Sequence, residues 1–456
     1  LALGIGVWSS FFGGVISAIV LVLVAPQLAL VGLEFQPWDF FSLVLFALTV
    51  TASLAGDQLL KGLISGLLGL LAATIGTDVI FGLPRFTFGQ SGLESGFSFL
   101  PVLIGLFAFS QLLSDTRDTE AARKPLSADE EAVVKIEHRK AAILVLKRWG
   151  NLIRSSIIGI FVGILPAAGS SISNILAYDQ AKKASKTPEK FGTGIEDGII
   201  APESANNATA GGTLIVMMAL GIPGDIVTAI MLGALLIHDV VPSPSFIEDQ
   251  PIIAYSIFIA FFVANFLMLG LQSITLRGFV LITKVRMYML AAVILFYCAI
   301  GVFALGNITF DIWTLFIFGV LGFALKMMGF PIVPMILGVV LGTIAEKNLS
   351  QALAITTDLA PFFTRPWSLF FITLGAFSIF YPSYQKQRSE KTWTLAFIPL
   401  FLMALAPSIF MMEGVIRPVV AVGFLLGGLY LLAKRKQRGW VLESPSMVPD
   451  HPSDRE

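Results

Sequence analysis

The strongest constraint on this chain is a succession of apolar stretches, each about as long as a bilayer is thick. A membrane-spanning helix needs ~17–25 predominantly apolar residues. Such stretches recur at about 8–33, 39–56, 59–76 and 98–113, then at 252–275, 288–306, 312–327, 329–345, 367–381, 394–412 and 415–433. A soluble domain carries ~25% charged residues; here 13% of 456 residues are charged, 56% are hydrophobic and mean hydropathy is +0.84. The expected fold class is an all-α polytopic membrane protein of about 10–13 transmembrane or re-entrant helices. Net charge is zero, so lipid is the implied surroundings and nucleic acid is not a partner.

Between these stretches lies residues 157–242, where two apolar runs are interrupted by Pro/Gly breaks. The first is Leu165-Pro166-Ala167-Ala168-Gly169 and the second Gly221-Ile222-Pro223-Gly224. Between them comes Ala201-Pro202-Glu203-Ser204-Ala205-Asn206-Asn207. Broken backbone at membrane depth survives only inside protein or along a wet cavity, because lipid cannot satisfy a free amide or carbonyl. A pair of Gly/Pro-interrupted segments therefore points to a transporter's substrate site.

Lys and Arg collect on the cytoplasmic side of a membrane. Segment 114–154 holds Arg117, Arg123, Lys124, Lys135, Arg139, Lys140, Lys147, Arg148 and Arg154, and reads as inside. Arg277, Lys284 and Arg286 mark a second inside loop, Lys386, Arg388 and Lys391 a third, and Lys434, Arg435, Lys436 and Arg438 a fourth. Counting crossings puts 77–97 and 243–251 outside and the N-terminal end inside. Lys182, Lys183, Lys186 and Lys190 place the central connection inside too, so 157–178 is expected to be a re-entrant hairpin; the alternative is that it crosses. The expected organisation is 1–113 as part of a first transmembrane half, 114–156 as a cytoplasmic amphipathic connector, 157–381 as the second half, 382–440 as two further helices and 441–456 as a disordered tail. Gly62-xxx-Gly66 and Gly159-xxx-Gly163 have the spacing that lets helices approach closely. Cys298, the single cysteine, forms no internal disulfide and reads as a small packing residue.

An ionisable side chain at membrane depth is costly and is a functional candidate by default. Glu203 is the strongest, with Asn206 beside it, for coupling to Na+ or H+; no other cofactor or metal is expected. The competing reading makes Ser204 or Asn206 the cap of a helix starting near Ala208. Ser170, Ser171, Ser173 and Asn174 either meet a substrate carboxylate or bond back to their own helix. The candidate substrate-binding set is Pro166, Gly169, Ser170, Ser171, Ser173, Asn174, Ser204, Asn206, Asn207, Gly211, Gly212, Gly221, Pro223 and Gly224. Tyr178 reads as an interfacial anchor, Lys326, Asp57 and Lys61 as inner-end residues, and His238 with Asp239 as a water-exposed pair.

These segments resemble a known family. Gly82-Leu83-Pro84-Arg85-Phe86-Thr87-Phe88-Gly89, Gly163-Ile164-Leu165-Pro166, Ser185-Lys186-Thr187-Pro188-Glu189-Lys190-Phe191-Gly192, Ala201 through Ala208 and Leu220-Gly221-Ile222-Pro223-Gly224 look like the large permease subunit of the tripartite tricarboxylate transporters. The resemblance covers most of residues 1 to about 380. It implies a bacterial inner-membrane secondary carrier of an inverted-repeat type, driven by Na+ or H+. The partners it implies are a small membrane subunit and a periplasmic solute-binding protein that delivers a di- or tricarboxylate. Departures from the family pattern are the first half's own Pro-Gly loop, expected to precede Leu1, so that the first repeat reads as truncated; Ala167-Ala168 where Gly-x is common; Asp239 where glycine is usual; and two helices past Lys391. The chain starts at Leu1 without a recognisable signal peptide and reads as a possible fragment. An intramembrane enzyme would need clustered catalytic groups such as His-Glu-x-x-His. None occurs, and the three histidines (His138, His238, His451) are scattered.

Overall fold

The computed structural model describes residues 1–53, 58–78, 82–117, 137–165, 169–282, 285–388, 390–437 and 439–440. Asp57, Pro166, Lys284, Arg438, residues 118–136 of the expected connector and the 441–456 tail lie outside them. Each of the eleven expected spans contains a helix among its described residues. In chain order the helices are α1 (Ala2–Gly32), α2 (Pro37–Ser53), α3 (Leu59–Ala73), α4 (Phe99–Thr116), α5 (His138–Lys147), α6 (Trp149–Ile164), α7 (Gly169–Ala184) and α8 (Asp197–Leu220). They continue as α9 (Ile226–Ile237), α10 (Pro251–Ile282), α11 (Met287–Gly306), α12 (Thr309–Met327), α13 (Ile332–Ile355), α14 (Pro366–Gln387), α15 (Thr394–Met411) and α16 (Arg417–Gln437).

Eight of these are long and apolar enough to cross a bilayer: α1, α4, α10, α11, α12, α13, α15 and α16. α14 is long but ends in Tyr381, Pro382, Ser383, Tyr384, Gln385 and Lys386, and is not among them. The β structure among the described residues is one pair of two-residue strands, Gly76–Thr77 against Pro84–Arg85, antiparallel with Gly76 opposite Arg85. The protein is thus an all-α polytopic membrane protein.

The chain forms two compact units, discontinuous in sequence. One comprises Leu1–Glu34 and Ile64–Thr343, the other Phe35–Leu63 and Ile344–Glu456. One boundary falls between α1 and α2, and the other two fall within α3 and α13.

In the first unit α8 is the centre, packed on α1, α6 and α7. Small residues make this possible, because a glycine surface lets two helix backbones approach closely. A methyl on Gly13 of α1 would lie 2.8 Å from the Ser204 Cα, and one on Gly159 of α6 would lie 2.9 Å from the Ala205 Cα. The Gly159-xxx-Gly163 pair is thus the α6–α8 crossing. Gly66 and Gly69 of α3 meet α13 in the same way, where a methyl on Gly338 would lie 2.9 Å from the Gly69 Cα. α5 buries Ala141 and Val145 with Ile5, Leu152 and Ile200 while exposing Ile143 and Leu146.

The second unit is knit by polar contacts between α2 and α14. Asp39, fully buried in the first turn of α2, accepts from the Arg365 Nη2 at 2.9 Å and Nε at 3.2 Å, and from the Gln36 N–H at 2.9 Å. Ser42 and Ser368 share a hydrogen bond of 2.7 Å, and Arg365 stacks 5.6 Å from the Trp38 ring. α15 and α16 pack on each other, with Gly428 against the Pro399 carbonyl.

Candidate substrate and ion site

The direction of each helix around α8 follows from its contacts. Gly159 faces Ala205 and Gly163 faces Thr209, Gly212 and Thr213, so α6 runs parallel to α8. On α1, Ser10 and Gly13 meet Glu203 and Ser204, Gly211 packs on Ser17, and Gly32 lies against Leu220, so α1 is parallel too. On α7, Ser173 contacts Thr209 while Ala177 and Ala181 cluster with Ala201 and Ala205; α7 is antiparallel. Arg148 beside Asp197 (3.5 Å) and Asn151 donating to Asp197 Oδ1 (2.9 Å) tie the starts of α6 and α8 together.

α6 and α7 therefore form a hairpin lying on α8, with Leu165 and Gly169 at the facing helix ends that flank the first break. Gly163 is level with Thr213, and α8 continues seven residues further, or about 10 Å at ~1.5 Å per residue. α6 ends because Leu165 turns extended (φ −77°, ψ 120°). α8 ends at Gly221, whose φ of 73° is the left-handed cap conformation that glycine adopts without a Cβ clash. The following residues fold back along α8. A methyl on Gly224 would lie 2.8 Å from both the Gly163 carbonyl oxygen and the Thr213 Cβ. The second break thus lies against the last turn of α6, two residues before the first break.

Asp225 follows immediately and starts α9. Its Oδ1 accepts from the Thr228 N–H (2.8 Å) and Oγ1 (2.7 Å), while its own N–H donates to Thr228 Oγ1 (3.0 Å). Among the described residues Oδ2 carries no hydrogen bond. The sequence reading missed this carboxylate; its signal was an acid directly after the Pro/Gly break. The meeting point thus combines the carbonyl end of α6, the start of α7, a capped helix start at α9 and one half-buried carboxylate.

The polar run lies elsewhere. α8 begins at Asp197, not near Ala208, so Ala201–Asn207 is helical and neither Ser204 nor Asn206 is an N-cap. Glu203 is ten residues from Thr213 along α8, about 15 Å, and Asn207 six residues, about 9 Å. Glu203 is half-buried and accepts from Ser10 Oγ at 3.1 Å. Asn207 Nδ2 donates to the Glu203 carbonyl (3.1 Å), while the half-buried Asn206 makes no side-chain hydrogen bond among the described residues. Glu203, Asn206, Asn207 and Ala210 sit three and four residues apart and, with Pro202, are the incompletely buried positions between Ala201 and Leu220, forming one face that ends at Ala210, three residues before the buried Thr213.

Other predicted residues make packing contacts within the unit. Ser204 is fully buried and donates to the Ile200 carbonyl at 2.7 Å. Ser173 is fully buried and accepts from Thr209 Oγ1 at 2.7 Å. Gly211 lies against Ser17, and a methyl on Gly212 would lie 3.0 Å from the Gly163 Cα. Asn174 is half-buried on α7 and Pro223 buried in the second break. Gly169, Ser170 and Ser171 form the first turn of α7, and their side chains lie outside the described residues. Tyr178 is half-buried and packs edge-on against Phe191 (5.3 Å). His238 and Asp239 are exposed, and Asp239 has φ 58°, a conformation glycine takes more easily. Ser10 of α1 and Asn265 of α10, which lies against Gly14, are buried polar residues the sequence reading did not single out.

Fold and site together define a multi-pass membrane protein with two interrupted helices meeting inside one helical unit. Residues 1–337 match the Tripartite tricarboxylate transporter TctA family, and the chain belongs to that family. It is similar to the Agrobacterium vitis "Uncharacterized 52.8 kDa protein in TAR-I ttuC' 3'region", with 32% identity over 82% of this chain and 74% of that protein. It is also similar to the "Uncharacterized protein in TAR-II ttuC' 3'region" of the same organism, with 31% identity over 51% of this chain and 98% of that protein. No solved structure matches.

Proposed function

We propose that the chain is the large membrane subunit of a secondary carrier that takes up di- or tricarboxylates across the bacterial inner membrane, coupled to Na+ or H+. A periplasmic solute-binding protein delivers the substrate, and a small membrane subunit completes the assembly. The observation that carries the reading is the packing of Gly224 against Gly163, which sets both breaks side by side.

The two sides of this junction suit different charges. Helix N-termini attract anions and C-termini attract cations. The first turn of α7, with Gly169, Ser170 and Ser171, receives a substrate carboxylate on its N–H groups. The carbonyl end of α6 and Asp225 Oδ2 receive the coupling cation, since Na+ takes oxygen ligands and a carboxylate also accepts a proton. The start of α9 is unsuited to the anion, because the Asp225 carboxylate already occupies it. Glu203 is a second coupling carboxylate, reached along the Asn206–Asn207 face. Segment α6–α7 is re-entrant, with both ends cytoplasmic beside the starts of α8 and α1.

The test is uptake of labelled citrate by proteoliposomes carrying the chain with its small subunit and binding protein, under an imposed Na+ or pH gradient. Wild type accumulates substrate under one gradient. Asp225→Asn and Glu203→Gln insert normally and lose the gradient response. Undiminished uptake in a variant removes that residue's coupling role, and absence of carboxylate uptake under either gradient overturns the reading.

A further inference from the structure

A cavity of about 450 Å³ opens where the starts of α6 and α8 meet the end of α7. Its polar lining includes Lys147, Arg148, Asn151, Arg154, Lys186 and Asp197. Four cationic side chains thus face one carboxylate. Arg148 is shared between Asp197 (3.5 Å) and Glu196 (3.6 Å). Lys147 and Lys186 meet no carboxylate among the described residues. Arg154 Nη2 donates to Asn151 Oδ1 at 3.0 Å, whereas its Nε is buried without a partner. Even with Glu196 counted, two positive charges are unbalanced and one buried donor lacks an acceptor.

An oxyanion would balance the unpaired cations that line the cavity, and the adjacent surface indicates its source. Trp149, Ile153, Ile157 and Phe161 recur every four residues on α6 and are 41–67% exposed. Ile143 and Leu146 of α5 are exposed as well. An apolar stripe thus runs from the cavity rim along the hairpin, headed by Trp149, a residue type enriched at membrane interfaces. Basic pockets between membrane helices accept phosphate headgroups in the same way.

We infer that this cavity binds the phosphate of an anionic phospholipid, with the acyl chains along the α6 stripe. The lipid holds the base of the hairpin whose facing helix ends flank the first break. This rests on the chain's being a membrane protein and not on which substrate it carries.

The experiment titrates detergent-purified, delipidated full-length protein with fluorescent short-chain phosphatidylglycerol, and separately with phosphatidylcholine, inorganic phosphate and citrate as competitors. Wild type is expected to bind phosphatidylglycerol in preference to phosphatidylcholine. Lys147→Gln/Lys186→Gln should weaken that binding about 30-fold, while Lys434→Gln/Lys436→Gln leaves it unchanged. Both replaced lysines of the test pair are exposed, so folding is not at stake. Equal binding by the test pair and wild type overturns the inference. So does full displacement by inorganic phosphate or citrate at the lipid's own concentration, which would make the cavity a site for a free oxyanion. Because the readout is lipid binding, failure here leaves the transport reading standing, and the reverse holds as well.

Discussion

Replacing Gly163 with alanine tests the junction at its tightest point. The added methyl would lie 2.9 Å from the Thr213 nitrogen and 3.0 Å from the Gly212 Cα, and would overlap the Thr209 carbonyl oxygen. All three are backbone atoms of α8, so no side chain can swing aside. Ordinary carbon contacts are ~3.5–4.0 Å, so α6 and α8 must separate by about 0.5–1 Å. Overpacking of this kind costs ~1–3 kcal/mol. The same shift drags the Gly163 carbonyl away from Gly224, and displacements of ~1 Å at a positioned site can cost ~100-fold in rate. Gly212→Ala enters the same interface from the other side, against the Gly163 Cα. Once the helices have moved for one methyl, the second costs less, so the double variant should fall short of additivity in a double-mutant cycle. The assay pairs unfolding of detergent-purified protein with initial uptake rates in proteoliposomes. Gly150→Ala, with nothing within 4 Å of the added methyl, is the control. Wild-type stability and uptake for Gly163→Ala, or strict additivity with Gly212→Ala, would refute the reasoning.

Three further predictions follow from other contacts. Asp225→Asn keeps an amide oxygen able to cap α9, and asparagine is as good an N-cap as aspartate; circular dichroism and unfolding should match wild type while gradient-driven uptake is lost, and a destabilised protein would show the charge to be structural. Arg365→Met leaves Asp39 buried without its cation and should destabilise the second unit by about 3 kcal/mol, with Asp39→Leu/Arg365→Met recovering most of it; chemical unfolding of the three variants decides, and a double variant as weak as the single would contradict the argument. Ser10→Ala and Glu203→Met should couple by about 1 kcal/mol in a cycle of unfolding free energies; additive effects would mean that the Ser10–Glu203 hydrogen bond contributes nothing.

Much of the fold was legible because hydrophobic length is a one-dimensional property. α10, α11 and α15 are readable from their apolar runs alone. The breaks were legible for the complementary reason: Gly221 and Pro223 cannot continue a helix that Ile215, Val216 and Met217 favour. What sequence could not give was depth along a helix. Ala201–Asn207 looks like a loop because proline and asparagine disfavour helix interiors. Here Pro202 is the sixth residue of α8, and Asn207 bonds back to the Glu203 carbonyl, so tertiary packing on α1 and α6 overrides propensity. That override moves Glu203 about three turns from the breaks. Asp225 went unnoticed because the Pro/Gly signal drew attention to backbone rather than to the acid beside it. Small residues such as Ser204, Ser173, Gly211 and Gly212 serve equally as ligand contacts and as helix-packing surfaces. Only the partner, a helix carbonyl for Ser204 and Ser17 for Gly211, separates the two roles.

Hydrogen–deuterium exchange of the reconstituted protein, with and without citrate, tests the central claim most directly. Two interruptions facing one wet pocket should exchange faster than the interiors of α6 and α8, and substrate should protect peptides containing Leu165–Gly169 and Gly221–Asp225 together. Protection of one peptide without the other, or slow exchange in both before substrate is added, would contradict it.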